Sequence, residues 1–232
     1  MLFHAHPSTE SEIDTLTVVA YPGAGKGTVL EGLMHHLTAD HRKHDLFEVG
    51  QMVRGHIHSG SEFGRQAVDF SKKGLLVPDD LIVPPIRAAI TELDSESLWL
   101  LDGFPRNGMQ IQPYEEEMEK YRRRYRTLRL QLGRDEKDER QVAEERMRKR
   151  GENALERKKK DPTVKVRNDD LDPAARAKRL DEAAMLCEVI EYFESKGLVI
   201  TIDATKNIQY VRSSTWSKVS ACLPKRHAGS AY

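Results

Sequence analysis

A lysine inside a glycine-rich turn is the residue of this sequence with the clearest chemistry. An apolar run typical of a buried strand, residues 16–20, is followed by Tyr-Pro-Gly-Ala-Gly-Lys-Gly-Thr, residues 21–28. Glycines let successive backbone N–H groups face an anion, and the start of a helix adds unpaired N–H groups and a positive dipole end. Lys26 would then reach the outer phosphates. The segment predicts a loop that binds the phosphates of a nucleoside triphosphate.

A second turn with charged residues follows another apolar strand, Leu-Trp-Leu-Leu-Asp at residues 98–102. It places the Asp102 carboxylate at the strand end and the Arg106 guanidinium four residues later. Ligands of open parallel sheets bind at the carboxyl ends of the strands, so the two turns are expected to meet there. Asp102 is placed to organise magnesium-bound water near the phosphates.

The elements that must position these residues alternate between strand-like and helix-like segments, which is typical of a parallel sheet with helices on both faces. We therefore predict an α/β fold of three layers. The predicted helices are residues 28–38, 53–71 with breaks near Gly60 and Gly64, 79–93, 136–150, 172–196 and 208–219. The predicted strands after the first are residues 47–49, 98–102, 125–132 and 197–203.

Composition excludes several other classes of protein. The chain has 232 residues, with 37 Lys+Arg against 37 Asp+Glu, so no global charge favours nucleic acid or a membrane surface. No apolar run approaches the ~20 residues of a membrane span, and residues 1–12 do not resemble a secretory signal. Two cysteines, Cys187 and Cys222, make neither a disulfide framework nor a cysteine-based zinc site. We expect a cytoplasmic protein that binds neither nucleic acid nor membranes.

Several motifs in one order resemble the adenylate kinase family and its relatives, the nucleoside monophosphate kinases. The resemblance runs from about residue 15 to residue 211. The motifs are Pro-Gly-Ala-Gly-Lys-Gly-Thr at 22–28, Gly-Gln-Met-Val-Arg at 50–54, Gly-Leu-Leu-Val-Pro-Asp at 74–79, Asp-Gly-Phe-Pro-Arg at 102–106, Arg-Met-Arg-Lys-Arg-Gly at 146–151, Arg-Asn-Asp-Asp at 167–170 and Lys-Arg-Leu at 178–180. The family is a three-layer P-loop kinase fold, and its activity is reversible transfer of a phosphoryl group from ATP to a nucleoside monophosphate.

The resemblance also implies residue roles. ATP with its Mg2+ would be bound by Gly23, Ala24, Gly25, Lys26, Gly27, Thr28, Arg146 and Arg150, with Arg146 stacked on the donor adenine. The monophosphate would be bound by Val49, Arg54, Leu75, Val77, Gly103, Arg106, Gln110, Arg167 and Arg179. The catalytic set would be Lys26, Arg106, Arg150, Arg167 and Arg179, because planar guanidinium groups suit phosphate oxygens and stay charged. Asp102 would organise magnesium water, Asp169 and Asp170 would hold lid arginines, and no side chain would bind the metal directly.

The domain organisation implied is one P-loop domain over residues 13–224, with flexible tails at 1–12 and 225–232. Two mobile insertions are expected within it. Residues 49–79 would fold over the monophosphate, and residues 151–166 would form the lid over ATP, because water must be kept from the transferring group. The lysine run at 158–160 is interpreted as solvated, and a monomer is expected.

The acceptor base is indicated by conflicting residues. Gln110 matches the glutamine that adenylate kinases place on adenine, which favours AMP. Asn107 fits the pattern of uridylate–cytidylate kinases, and Val49 and Gln51 replace the Thr and Asp that adenylate kinases carry. A buried polar group left unpaired costs about 1–3 kcal/mol, which is enough to discriminate bases. AMP is the first expectation, and UMP or CMP is the alternative.

Two interpretations from other classes stay open at this point. Ala20, Val49 and Gln51 depart from the family pattern, which is compatible with a nucleotide-binding protein that no longer transfers phosphate. All charged catalytic positions are filled, however, which favours an enzyme. The other is RNA binding through the basic run at residues 122–126 and the lysine run at 158–160; the small number of stacking aromatic residues beside them argues against it.

Overall fold

The centre of the molecule is a parallel β-sheet. The computed structural model describes residues 12–225 apart from Gly74, and this part contains five strands. They are β1 (Thr15–Ala20), β2 (His44–Glu48), β3 (Leu98–Asp102), β4 (Tyr125–Gln131) and β5 (Val199–Asp203), and their order in the sheet is β2-β3-β1-β4-β5. Every neighbouring pair is parallel, which confirms the predicted α/β class.

The register of the central strands brings the two predicted turns together. Val18 of β1 lies opposite Asp102, the last residue of β3, so β1 continues two residues further to Ala20. Both strands therefore end at the same edge of the sheet. The turn after β1 and the turn after β3 start side by side, as expected from the strand ends.

Helices cover both faces of the sheet and bury its strands. The helices of the described residues are α1 (Lys26–Ala39), α2 (Val49–Ser59), α3 (Glu62–Lys73), α4 (Asp79–Ile90), α5 (Ile111–Lys120), α6 (Glu136–Lys160), α7 (Asn168–Leu171), α8 (Pro173–Ala184), α9 (Leu186–Ser195) and α10 (Ile208–Ser220). All six residues of β1 are buried, as is the β3 tetrad before Asp102. The sheet is the middle of three layers, as predicted.

Helix α6 is longer than the sequence predicted. It was expected to end at Arg150, but it continues through Gly151 to Lys160, and so includes the first ten residues of the predicted lid. Gly151 is buried, and a Cβ there would lie 2.9 Å from Leu171 Cδ2, so the glycine permits close packing instead of ending the helix. Residues 152–160 are mostly good helix formers, and the helix ends at Lys160, with Asp161 as its C-cap just before Pro162.

Other predicted boundaries were also wrong, among them the break expected near Gly64, which lies inside α3. The single helix expected over residues 172–196 is two helices, α8 and α9, which meet at Met185. Asp172 does start α8, because its side chain accepts hydrogen bonds from the N–H groups of Ala174 and Ala175. Val49, expected at the end of a strand, is instead the first residue of α2.

The ends of the predicted domain meet. The Lys225 N–H donates to Glu12 Oε1 over 3.1 Å, and the Ile13 N–H donates to the Cys222 carbonyl over 2.8 Å. The rest of the predicted tails, residues 1–11 and 226–232, lies outside the described residues. Among residues 12–225 apart from Gly74, no helix has the length and apolar character needed to cross a membrane.

Candidate active site

The turn after β1 is shaped by two glycines in the left-handed region. Gly23 has φ +81° and Gly25 has φ +89°, conformations that other L residues adopt only with strain. Gly25 is the N-cap of α1 and Lys26 is its first residue, so the unpaired N–H groups of the helix start face the turn. Ala24 is buried, whereas Gly27 and Thr28 are exposed. The predicted loop is therefore an open cradle of N–H groups.

Lys26 joins the two turns at the sheet edge. Its Nζ atom lies 3.0 Å from Oδ1 of Asp102. Burial lowers the pKa of Lys26, the Asp102 carboxylate opposes that shift, and the charges of Arg106 and Arg179 add to it. The ammonium group therefore lies among other cations and beside one carboxylate, which is the surrounding expected for a lysine that binds phosphate.

Five guanidinium groups lie close enough to act on one another's charge, and two of them, Arg106 and Arg179, also act on Lys26; we call the five the arginine cluster. They belong to Arg54 on α2, Arg106 after β3, Arg150 on α6, Arg167 before α7 and Arg179 on α8. Burial, together with the charges of Arg167, Arg106 and Arg150, lowers the pKa of Arg179 to about 10. Partial desolvation and the Arg150 charge likewise lower the pKa of Arg167. Cations in this proximity are stabilised by a polyanion.

Arg150 is held by an acid that is almost completely buried. Its Nε and Nη2 atoms donate to the two oxygens of Asp170 over 2.7 and 2.6 Å, and Asp170 is 2% exposed. The buried Arg176 donates from Nη1 to the Asp170 carbonyl over 2.9 Å. Asp170 thus contacts a lid arginine, whereas the side chain of Asp169 lies outside the described part. Arg176 was missed because a lone arginine on a charged helix gives no sequence signal.

The start of α2 packs against the turn after β3. A Cβ added to Gly103, whose φ is +94°, would lie 3.5 Å from Val49 Cβ and 3.8 Å from Arg106 Nε. Gly103 therefore lies between Val49 and Arg106, two of the residues predicted to bind the monophosphate. Arg54 is exposed, and its guanidinium folds back over Gly50, within 3.1 Å of where a Cβ would lie.

The amide group of Gln110 is engaged at both ends by the protein. The side chain is 4% exposed; its Nε2 donates to Asp79 Oδ1 over 2.6 Å, and its Oε1 accepts from the Arg106 N–H over 2.9 Å. Asn107 also donates from Nδ2 to Asp79, and its Oδ1 accepts from the Gln110 N–H. Gln110 thus positions the backbone of Arg106, a contact that the sequence did not indicate.

The predicted acceptor residues Leu75 and Val77 lie in the irregular segment between α3 and α4. Both are half-buried. Between them, the N–H of Leu76 donates to Glu182 Oε1 over 2.7 Å. Glu182 was missed as a functional residue. The one signal available was its spacing, because a residue three positions after Arg179 shares a helix face with it.

Arg146 lies beside the phosphate-binding loop. A Cβ on Gly23 would be 3.1 Å from Arg146 Cβ, and the Arg146 guanidinium donates from Nη2 to the Ala204 carbonyl over 2.8 Å. Next to it, a cleft opens between α6 and the ends of β4 and β5, with Gln131, Val142 and Thr205 among its lining residues.

A metal ion at this site would have few protein ligands. Within residues 12–225 apart from Gly74, no three His, Cys, Asp or Glu side chains are grouped as metal ligands. Asp102 fits a contact through water, because its carboxylate ends β3 next to Lys26. Mg2+ retains several waters and is commonly held by nucleotide phosphates with one or two carboxylates.

A parallel sheet, a P-loop and converging arginines define a nucleotide-binding P-loop kinase. Comparison with known proteins identifies its family: the adenylate kinase family model matches residues 18–198. The chain is 30% identical over 202 residues to an adenylate kinase of Nitrobacter hamburgensis, covering 84% of this chain and 87% of that protein. It is 29% identical over 196 residues to a Synechococcus adenylate kinase, covering 84% and 93%. The chain belongs to the adenylate kinase family.

Proposed function

We propose that this protein reversibly transfers the γ-phosphoryl group of MgATP to AMP, forming two molecules of ADP. The observation that carries the proposal is the arginine cluster beside Lys26, which concentrates positive charge where two polyanionic substrates would meet. Phosphoryl transfer requires mainly positioning and charge neutralisation from the protein. The match to the adenylate kinase family supports the same reaction.

The donor is assigned to the loop after β1. The loop N–H groups and Lys26 hold the phosphates of ATP, and Arg146 stacks on its adenine at the cleft beside Ala204. Mg2+ enters as part of the substrate, coordinated by ATP, and lowers the charge of the phosphates. Asp102 would hold a water of the magnesium shell, and its 3.0 Å contact with Lys26 Nζ keeps the lysine in place.

The acceptor is assigned to the other side of the cluster. Arg54 and Arg106 bind the AMP phosphate, with Val49, Leu75 and Val77 beside the base. An oxygen of the AMP phosphate forms a bond to the γ-phosphorus as the bond to the bridging oxygen breaks. The electron pair leaves on the β-phosphate of the departing ADP, and no proton transfer is required. Arg150, Arg167 and Arg179 neutralise the charge that moves.

Residues 49–79 and 151–166 are the segments proposed to close over the substrates. Closure would bring Arg54 and Arg167 inward and exclude water, the competing acceptor. The helical part of α6 beyond Gly151 would move as one rigid arm. Its lysines, Lys158 to Lys160, are exposed, which supports the interpretation that they are solvated.

AMP is favoured over UMP or CMP. Asn107 was the residue that favoured a pyrimidine acceptor. It caps the 3₁₀ turn Gly108–Gln110 and donates to Asp79, so its presence has a structural explanation. Gln110 keeps one amide hydrogen and one oxygen lone pair beyond its contacts with Asp79 and Arg106. These are the two sites through which Gln110 would contact an adenine edge. The protein is further proposed to act as a cytoplasmic monomer, which gel filtration would test for the oligomeric state.

The test is the initial rate of ADP formation from MgATP with AMP, CMP, UMP, GMP and dTMP in parallel. A clear preference for AMP is the expected result. A preference for CMP or UMP would keep the reaction but overturn the acceptor assignment. ATP binding without turnover on any acceptor would identify a nucleotide-binding protein that has lost catalysis.

A further inference from the structure

A carboxylate on α8 bonds the backbone of the segment between α3 and α4. The Leu76 N–H donates to Glu182 Oε1 over 2.7 Å, although the two residues are 106 positions apart in the chain. A hydrogen bond of this length from a neutral N–H to a carboxylate belongs to the stronger class of protein hydrogen bonds. It joins two parts of the site that have different proposed tasks.

Glu182 lies on the same side of α8 as Arg179, because residues three apart share a helix face. Its carboxylate faces the charges of Arg106, Arg179 and Lys178. Burial raises the pKa of Glu182, while the Leu76 N–H and these three cations oppose the shift. Glu182 is therefore a partly buried acid in a cationic region. Burying a carboxylate lowers the stability of the fold unless hydrogen bonds and opposite charges compensate.

The segment that Glu182 contacts has little regular structure of its own. Residues 75–78 link α3 to α4, and the N–H of Leu75 bonds back to the Phe70 carbonyl over 2.9 Å. The next N–H, that of Leu76, is directed to α8 instead. Such a connector has many accessible conformations unless tertiary contacts restrict it. Glu182 supplies one of these contacts at the centre of the segment.

We propose that Glu182 is a positioning residue for the acceptor: it fixes the Leu75–Val77 segment against α8, at a set distance from the phosphate-binding arginines. This inference rests on the proposed function, in which Leu75 and Val77 lie beside the base while Arg106 and Arg179 hold phosphate. Base and phosphate of one nucleotide are then held by parts of the chain that Glu182 connects. Pre-ordering the segment removes an entropy cost from acceptor binding.

The test compares two substitutions in the full-length protein. Glu182→Gln keeps the shape and the accepting Oε1 but removes the charge, whereas Glu182→Leu removes the acceptor as well. The matched control is Asp181→Asn, which neutralises the adjacent carboxylate, an exposed group paired with Arg140 over 2.6 Å. For each protein, KM for AMP, KM for MgATP and kcat are measured, together with hydrogen exchange of the backbone around Leu76.

We expect Glu182→Leu to raise KM for AMP about tenfold or more, with KM for MgATP within about twofold and kcat within about threefold. Glu182→Gln and Asp181→Asn should stay within about threefold of wild type for AMP. Exchange around Leu76 should become faster in Glu182→Leu alone. Because KM for AMP rises without KM for MgATP, a general loss of stability is distinguishable from a positioning role.

Two results would overturn the proposal. An unchanged KM for AMP in Glu182→Leu would show that the contact does not position the acceptor. An equal rise in Glu182→Gln and Glu182→Leu would show that charge acts, and not the hydrogen bond. Failure of the proposed function is distinguishable, because the wild-type protein itself would then form no ADP from MgATP and AMP.

Discussion

The Nζ atom of Lys26 lies 3.0 Å from Oδ1 of Asp102, which joins the turn after β1 to the end of β3. The contact exists because the register of the two strands ends them at one edge of the sheet. In the proposed reaction the lysine holds donor phosphates, and the aspartate orients both the lysine and the magnesium water. The pair thus links the sheet topology directly to the chemistry.

Replacing the loop lysine should abolish most turnover while the fold survives. Lys26→Ala is expected to lower kcat at least about a hundredfold, because a preorganised cation at the transferring phosphates is lost. Circular dichroism should remain that of the wild-type protein. The control is Lys160→Ala, since Lys160 is exposed at the end of α6 and is not assigned to substrate. A near-normal kcat for Lys26→Ala would mean that the site is placed wrongly.

Removing Arg179 should stabilise the ligand-free protein and inactivate it. The folded pKa of about 10 lies well below the ordinary value of an arginine guanidinium, so between these two values the folded state binds fewer protons than the unfolded state. The charge of Arg179 therefore costs stability in full below about pH 10, and the cost declines as pH rises through that range. Arg179→Met should raise the unfolding midpoint at pH 7 by about 2–5 °C.

The same variant should lower kcat at least about a hundredfold, since Arg179 is assigned to the transferring group. Arg148→Met is the control, because Arg148 is an exposed residue of α6 paired with Glu152. It should change neither the midpoint nor the activity appreciably. An Arg179→Met protein that is both less stable and fully active would contradict the cluster as an anion site.

Gln110 should affect every acceptor, not AMP alone. Gln110→Leu removes the bond to the Arg106 N–H as well as any contact with the base, so the phosphate-binding turn loosens. We expect KM to rise about tenfold for AMP and also for the slower acceptor CMP. Gln112→Leu is the control, because Gln112 is exposed and bonds Glu116. A rise for AMP only would mean that Gln110 acts solely on the base.

Gly23 should not tolerate a side chain. Its φ of +81° disfavours L residues, and a Cβ would lie 3.1 Å from Arg146 Cβ and 3.2 Å from the Ala143 carbonyl oxygen. Gly23→Ala should cost about 1–2 kcal/mol of unfolding free energy and weaken ATP binding. In Gly55→Ala, where the Cβ meets nothing within 4 Å on a helix, stability should rise slightly. Equal stability of the two variants would refute the constraint.

Much of the fold could be predicted because local patterns and the tertiary structure agree. The strand at Leu98–Asp102 has the predicted bounds, and the turns that carry Lys26 and Arg106 follow the ends of β1 and β3 as expected. Apolar, β-branched runs that stop at glycine or at an acid are strong strand signals. The motifs then fixed the order of the binding residues along the chain.

The errors have a common physical cause, namely contacts between distant segments. Gly151 was taken as a helix end, but it allows α6 to pack on Asp170 and Leu171. The break between α8 and α9 at Met185 has no glycine or proline beside it that would predict it. The bonds of Gln110 to Asp79 and of Leu76 to Glu182 join residues 31 and 106 positions apart. Propensity and spacing carry no information about such pairs.

In the proposed reaction the phosphoryl group passes from ATP to a nucleotide and not to water. The protein is incubated with ATP labelled at the γ-phosphorus and unlabelled AMP, and the label is followed at early times. We expect label in the terminal phosphate of ADP, with AMP consumed at the same rate. Label released as inorganic phosphate, or label that stays in bound ATP, would contradict it.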